Sequence, residues 1–380
     1  MDNGATTRMS DRALQVMADT MKTVYGNPSS IHSLGHEAAK VLRSARLTIA
    51  AILHGDRDEV FFTSGGSEAD NWAIRGAAAL GKAVGKMHLI TTQIEHHAVL
   101  HTMQALEKEG FRVTYLPVDA EGILDPQQVE DAICDDTALV SVMTANNEIG
   151  SILPIKEIGA LCRKRKVLFH TDAVQAVGHI PVDVQDMNID MLSASAHKFH
   201  GPKGVGFLYC RKGIKLPNLI EGGAQERGRR AGTENVPAIC GMAAALEEAA
   251  SLMDEEASRL SKMRDRLMEG ILKLPHTRIN GSRAHRLPGN INACFEGIEG
   301  ESLLISLDLV GVCASSGSAC TSGSLEPSHV LLAIGLPHEI AHGSLRLSLG
   351  RYNTEADVDY VLEQLPVIVS RLRDMSPLWE

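Results

Sequence analysis

The chain has 380 residues, 44% of them hydrophobic and 22% charged, and a formal net charge of −10; that is a globular chain of about two domains, and its acidity excludes a general polyanion-binding surface, so no nucleic-acid partner is expected. No apolar run approaches a membrane span, and residues 1–7 have neither the basic region nor the apolar core of a signal peptide, so the expected location is cytoplasmic with no membrane partner. Seven scattered cysteines without a C-x-x-C pair argue against a disulfide framework and against structural zinc, so no metal site is expected and most of the thiols are read as small buried hydrophobes.

Leu14, Met17, Met21 and Val24 give residues 11–24 helical spacing, and Gly26-Asn27-Pro28-Ser29-Ser30 ends that helix. A second helix is predicted over 36–53. From Glu59 the pattern alternates. A strand at 60–63 runs into Ser64-Gly65-Gly66-Ser67 and a helix over 68–80. A strand at 88–92 is followed by Glu95-His96-His97 and a helix to Glu109. Strands at 113–118 and 138–143 follow, the second ending in Asn146-Asn147-Glu148-Ile149-Gly150. The next helix reaches Arg165, and its basic end, Arg163-Lys164-Arg165-Lys166, suits the negative pole of the helix dipole. A strand at 167–170 ends in Thr171-Asp172-Ala173-Val174-Gln175. Apolar residues 189–192 then lead into small hydroxyl residues, a turn with His197, Lys198 and Gly201, and a strand at 205–209. Residues 234–275 read as mostly helical. The tail has an apolar segment at 290–294, a helix around 301–307, a Ser/Gly-rich loop at 315–324, a strand at 344–349 and a helix over 355–371.

Strands separated by helices predict an α/β fold: a mainly parallel sheet with helices on both faces, plus a smaller α+β domain. The expected division is a large domain over 12–255 and a small one made of 1–11 and 256–380. Ligands of such sheets collect at the carboxyl ends of the strands. Ser67, His96, Asn147, Asp172, Gln175 and Lys198 all lie at those ends. Each has a bland explanation when taken singly. Ser67 can cap its helix with Asp70 three residues on, Asp172 can cap the next, and Lys198 can sit on a surface turn. As a set they supply an anion cradle at a helix N-terminus, an acid for a ring nitrogen and a lysine able to form a Schiff base. Cys320 sits among Ser, Gly, Ala and Thr, a composition that packs no core and predicts an accessible loop; Cys134 and Cys210 are expected to be buried.

These residues resemble those of fold-type-I pyridoxal-phosphate enzymes. Asp2-Asn3-x-Ala5-Thr6-Thr7, Gly26-Asn27-Pro28-Ser29-Ser30-x-His32, Gln93-Ile94-Glu95-His96, the Asn146–Gly150 motif, Ser195-Ala196-His197-Lys198 and the run from Ser315 through Cys320 to His329 are similar to the NifS/IscS cysteine desulfurases over essentially the whole chain. The ending Ser376-Pro377-Leu378-Trp379 is closer to the NifS branch. The resemblance implies conversion of L-cysteine to L-alanine, with sulfur carried as a persulfide on Cys320 to an acceptor such as an iron–sulfur scaffold protein. It assigns the pyridoxal 5'-phosphate linkage to Lys198 and phosphate binding to Gly66, Ser67, Ser195 and His197. Thr233 would reach the phosphate of the other subunit of a homodimer. Asp172 would meet the ring nitrogen, Asn147 and Gln175 the ring's oxygen side, and His96 would stack on the ring and carry protons. Arg346, with Asn27, would bind the substrate carboxylate. A selenocysteine lyase or an aminotransferase on the same fold is the alternative, and a non-catalytic sulfur-binding scaffold a more distant one. Two departures stand out: Ser67 replaces the common Thr, which keeps the hydroxyl, and the chain starts at the Asp-Asn motif with Gly4 within it, which predicts a looser N-terminal segment.

Overall fold

A computed structural model describes residues 1–317, 327–377 and 379. Seven strands form the large sheet: β1 (Val60–Thr63), β2 (His88–Thr92), β3 (Arg112–Leu116), β4 (Thr137–Ser141), β5 (Leu168–Asp172), β6 (Met191–Ser195) and β7 (Gly206–Cys210). Their order is β1-β7-β6-β5-β4-β2-β3. β2 to β6 are mutually parallel where they pair, and β7 runs antiparallel between β1 and β6. The carboxyl ends of the other six strands therefore share one edge of the sheet.

Burial on both faces explains why the strands read as continuous apolar runs rather than alternating ones. Leu89, Leu139, Met191 and Leu208 pack on one face with Trp72, Ile74 and Met103. Their chain neighbours Ile90, Val140, Leu192 and Phe207 pack on the other with Ile49, Ile158 and Met242. The helices responsible are α1 (Asp11–Thr23), α2 (Ser33–Ile52), α3 (Gly66–Lys82), α4 (His97–Lys108), α5 (Pro126–Ala132) and α6 (Ile155–Arg165). The basic end of α6 closes on Lys166 in the left-handed conformation. A short turn, α7 (Gln225–Gly228), precedes the 36-residue α8 (Val236–Ile271).

The second sheet is antiparallel, β10-β9-β8, from β8 (Thr277–Ile279), β9 (Asn290–Phe295) and β10 (Ser344–Ser348). It carries its own core, to which α9 (Gly300–Asp308) and α12 (Glu355–Met375) contribute, while α10 (His329–Ala333) and α11 (His338–His342) pack against the large core. α8 serves both cores. Val236 to Ala249 contribute to the large one and Leu260 to Ile271 to the small one, so the position expected to divide the domains lies within one continuous helix. By length and composition α8 is apolar enough to cross a membrane, unlike the sequence expectation. Its apolar residues are instead spent on these two cores.

Two further expectations are corrected. The N-terminal segment is firmly tied. Asn3 N–H donates to Ser348 O, Ser348 N–H to Met1 O and Thr7 N–H to His197 O at 2.9–3.2 Å. Gly4 N–H donates to Ser348 Oγ at 2.7 Å. Backbone pairing with β10 supplies what the local sequence does not. Among the thiols, Cys162, Cys210 and Cys294 are buried, but Cys134 and Cys240 are only half-buried and Cys313 is exposed.

Candidate active site

One cavity of about 210 Å³ lies at the carboxyl edge of the large sheet. Its lining brings together Gly66, Ser67, His96, Asn147, Asp172, Gln175, Ser195, His197, Lys198 and Arg346, with Gly4, Ala5, Asp70, Met143 and Val174.

The anion cradle forms where β1 turns into α3. Gly65 is the N-cap, at φ 154° and without a side-chain cap, so Ser67 is not the cap and Asp70 is not its partner. Glu68 is the acid that reaches back, accepting from Ser64 N–H at 2.9 Å. With no side-chain cap from Gly65, the N–H groups of the first turn remain available to an anion. The turn packs tightly on β7: a Cβ on Gly206 would lie 2.8 Å from Gly65 Cα and 2.4 Å from Ala194 O. Ser195 and His197 close the other side. His197 Nδ1 meets Thr6 Oγ1 at 3.0 Å, and burial, then Lys198 and Lys203, push the imidazole down to about 4.

Lys198 ends the turn after β6. It is half-buried, and its Nζ donates to Gly4 O at 2.7 Å and Ala5 O at 2.8 Å. Gln175 Nε2 shares the Gly4 carbonyl at 3.1 Å. The N-terminal segment thus positions the lysine through backbone atoms, a role the sequence reading missed because any residue supplies a carbonyl.

Asp172, at the end of β5, is held above the usual carboxylate range by burial, against the pull of His96, the Val174 N–H and Lys198. Asp70 is pushed well above that range by burial and then by Asp172. Two buried carboxyls this close do not both ionise. Asp70 was also missed as a lining residue; its signal is an acid among the buried positions Ala69, Ala73 and Ala77 of α3. Beside it, His170 bonds Ser141 and Ser193 at 2.8 and 3.0 Å, and burial drives it down to about 3.

His96 caps α4, its Nδ1 accepting from Ala98 N–H at 3.1 Å, and it lines the cavity. Asn146 Oδ1 accepts from Glu148 and Ile149 N–H, both at 2.9 Å, a turn that presents Asn147 to the cavity. Arg346 on β10 is 2% exposed. It donates to Asn147 O at 3.0 Å and pairs with Asp2 at 3.4 Å, while its Nε has no partner among the described residues.

Two expected residues do not reach this cavity. Asn27 is exposed, with Oδ1 accepting from Ser29 N–H at 2.9 Å. Thr233 is exposed on the loop after Arg230. That basic loop is anchored: Arg230 grips Glu68 at 2.8 and 2.9 Å, and Arg46 holds buried Glu226 through two bonds of 2.7 Å. Cys320 lies outside the described residues.

The donor set fits pyridoxal phosphate. An uncapped helix N-terminus suits a phosphate. A buried acid whose ionised form burial disfavours suits a ring N–H as its partner. A lysine lines the same cavity, and a buried guanidinium retains an unused donor among the described residues. Such a cofactor supplies an electron sink for the α-carbon of an amino acid.

The comparisons agree. Residues 1–361 match the Aminotransferase class-V family. The chain is 57% identical to "Cysteine desulfurase IscS" of Clostridium botulinum, covering 100% of this chain and 96% of that one. It is 56% identical to the protein of the same name from Methanosarcina thermophila, over 100% and 93%. Among solved structures, a "NifS-like protein" superposes with a TM-score of 0.92 at 41% identity, over 98% of this chain and 99% of the other. "SspA in complex with cysteine" gives 0.82 at 38%, over 93% and 99%.

Proposed function

Because this chain belongs to the class-V aminotransferase family and is a pyridoxal-phosphate-dependent cysteine desulfurase, we propose that it converts L-cysteine to L-alanine and hands the sulfur, through Cys320, to an acceptor for iron–sulfur cluster assembly. The observation that carries the residue assignment is the convergence of Lys198, Asp172, the Gly65-Gly66 turn and Arg346 on one cavity.

In this reading the α3 N-terminus, Ser67, Ser195 and His197 hold the phosphate, and Asp172 holds the ring nitrogen in its protonated form. Arg346 takes the substrate carboxylate. Lys198 Nζ, aligned by the Gly4 and Ala5 carbonyls, removes the α-proton. His96 Nε2 exchanges protons with the thiols. The Cys320 thiolate then attacks the substrate sulfur. An S–S bond forms, the Cβ–S bond breaks, its electron pair stays on the carbon that becomes alanine's methyl group, and the persulfide remains on Cys320. The reading includes a homodimer, with Thr233 serving the partner's phosphate site, and a cytoplasmic location, where a free thiol stays reduced.

Incubation with L-cysteine should yield alanine and a sulfane sulfur mapped by mass spectrometry to Cys320. Borohydride reduction should place the pyridoxyl group on Lys198. A label on exposed Lys203 instead would overturn the lysine assignment.

A further inference from the structure

At the opposite edge of the large sheet, where the parallel strands begin, a second group of reactive side chains meets. His88 opens β2. Cys134 and Asp136 lie just before β4. Cys134 Sγ is 3.2 Å from His88 Nδ1 and 3.1 Å from Asp136 Oδ1, and the three donor atoms all lie within 4.8 Å of one another. We propose that His88, Cys134 and Asp136 form a binding site for a borderline-soft divalent cation, of which Zn²⁺ is the type.

Thiolate, imidazole and carboxylate are the three ligand classes that such ions take together, with a fourth position left to water. The imidazole is already prepared. Its Nε2 meets Thr114 Oγ1 at 2.8 Å. The tautomer that donates there leaves Nδ1 unprotonated, 3.2 Å from the sulfur, as metal-binding histidines are held by a hydrogen bond on the far nitrogen. Thr137 Oγ1 accepts the Cys134 N–H at 2.9 Å, and in that tautomer its hydroxyl donates to His88 Nδ1 at 2.8 Å, the bond that an ion would replace.

A cation already visits the position. Arg112 Nη2 is 3.3 Å from Cys134 Sγ and 3.0 Å from Asp136 Oδ1. Its side chain and that of Asp136 are about half exposed, at 56% and 45%, so the guanidinium can swing into solvent and an ion can enter. The site stands apart from the cavity, at the other ends of β2 and β4. The spacing of His88, Cys134 and Asp136 forms no motif that sequence reading would single out.

The test uses the cofactor-loaded dimeric or monomeric enzyme as purified, in a Cys320→Ser background that removes a competing thiol, with Zn²⁺ alone as probe. Native mass spectrometry and calorimetry should count one more Zn²⁺ in that parent than in its Cys134→Ser derivative. Asp136→Asn should weaken binding by on the order of tenfold or more. Arg112→Ala should tighten it, because the competing cation is gone; if Arg112 only supported a thiolate, the same change would weaken it. All three positions are partly exposed, and unchanged thermal midpoints verify the fold. Equal Zn²⁺ counts with and without Cys134, or weaker binding in Arg112→Ala, overturns the site.

Discussion

Arg346 and Ser315 exchange both backbone hydrogen bonds, Arg346 N–H to Ser315 O at 2.6 Å and Ser315 N–H to Arg346 O at 3.2 Å. Ser315 Oγ also donates to the Asp2 carboxylate at 3.0 Å, the group that pairs with the Arg346 guanidinium. The segment that leads to Cys320 is thus sewn to the residue assigned to the substrate carboxylate. On the far side of that segment, Ser328 Oγ donates to buried Glu148, next to Asn147, whose carbonyl accepts from Arg346. One small network fixes Arg346 and both flanks of the stretch that contains Cys320.

Replacing the clamp should therefore hit substrate binding first. Losing one partner of a buried charged hydrogen-bonded pair costs about 2–4 kcal/mol, on the order of thirty- to a thousandfold. Arg346→Ala should raise KM for L-cysteine by such a factor. Arg346→Lys keeps the charge but not the planar fork, and should recover only part of it. Steady-state kinetics beside urea midpoints separate binding from folding. An unchanged KM in well-folded Arg346→Ala removes the assignment.

Much of this arrangement was legible because strand ends carry the chemistry. The apolar runs marked β1 to β7; Asp172 ends one of them, and Lys198 and His96 come within about one turn after two others. What escaped has physical reasons. β8 is three residues long and partly exposed, too short for any period to show. α5 had a readable start, Asp125 capping Gln127 N–H with Pro126 in the first turn, but only seven residues to follow. The acceptors of Lys198 are backbone carbonyls of Gly4 and Ala5, which leave no mark on side-chain identity. Asp70 reads as the capping partner of Ser67; Gly65 takes the N-cap place since only glycine readily adopts its backbone geometry.

Glu95 gives the fold a pH dependence of definite sign. Its Oε1 accepts from Thr92 Oγ1 at 2.7 Å and Met143 N–H at 3.0 Å, and burial pushes it up to about 8 from 4.5. Folding takes up a proton between those values, so the contribution of Glu95 is complete below about pH 4.5 and is lost as pH rises through about 8. Glu95→Gln keeps the acceptor and removes the titration. Relative to it, the wild type should lose stability between about pH 5 and pH 8, by on the order of a few kcal/mol. Urea midpoints of both proteins across that range measure the difference; parallel curves contradict the account.

Thr233 tests the homodimer. Its loop is fixed to the first turn of its own α3 by Arg230 and Glu68, yet the residue is exposed and away from its own cavity. Homodimers of Thr233→Ala should bind pyridoxal phosphate less tightly. A hybrid of a Thr233→Ala subunit with a Lys198→Ala subunit keeps one site with Lys198 from one chain and Thr233 from the other. That hybrid should regain activity which neither parent homodimer has in full. Inactive hybrids from well-folded parents, or an active monomer, end the shared-site reading.

Cys320 should act after the α-proton has left, not before. In the proposed mechanism that first step rests on Lys198 and Asp172 with the bound cofactor, and none of these needs a protein thiol. Sulfur abstraction needs a nucleophile that reaches the substrate sulfur, and a serine hydroxyl is far weaker than a thiolate near neutral pH. Cys320→Ser should therefore bind pyridoxal phosphate normally and still change its visible spectrum with L-cysteine, while alanine formation falls by on the order of a hundredfold or more and no protein persulfide appears. Cys313 is the matched control. It is exposed, seven residues upstream, and its carbonyl, not its thiol, holds the Met1 amine at 2.9 Å. Cys313→Ser should leave turnover largely intact, because the backbone bond survives the substitution. Near-normal alanine formation by Cys320→Ser would falsify the role and move the sulfur acceptor to another thiol, with Cys313→Ser showing at once whether it is that one.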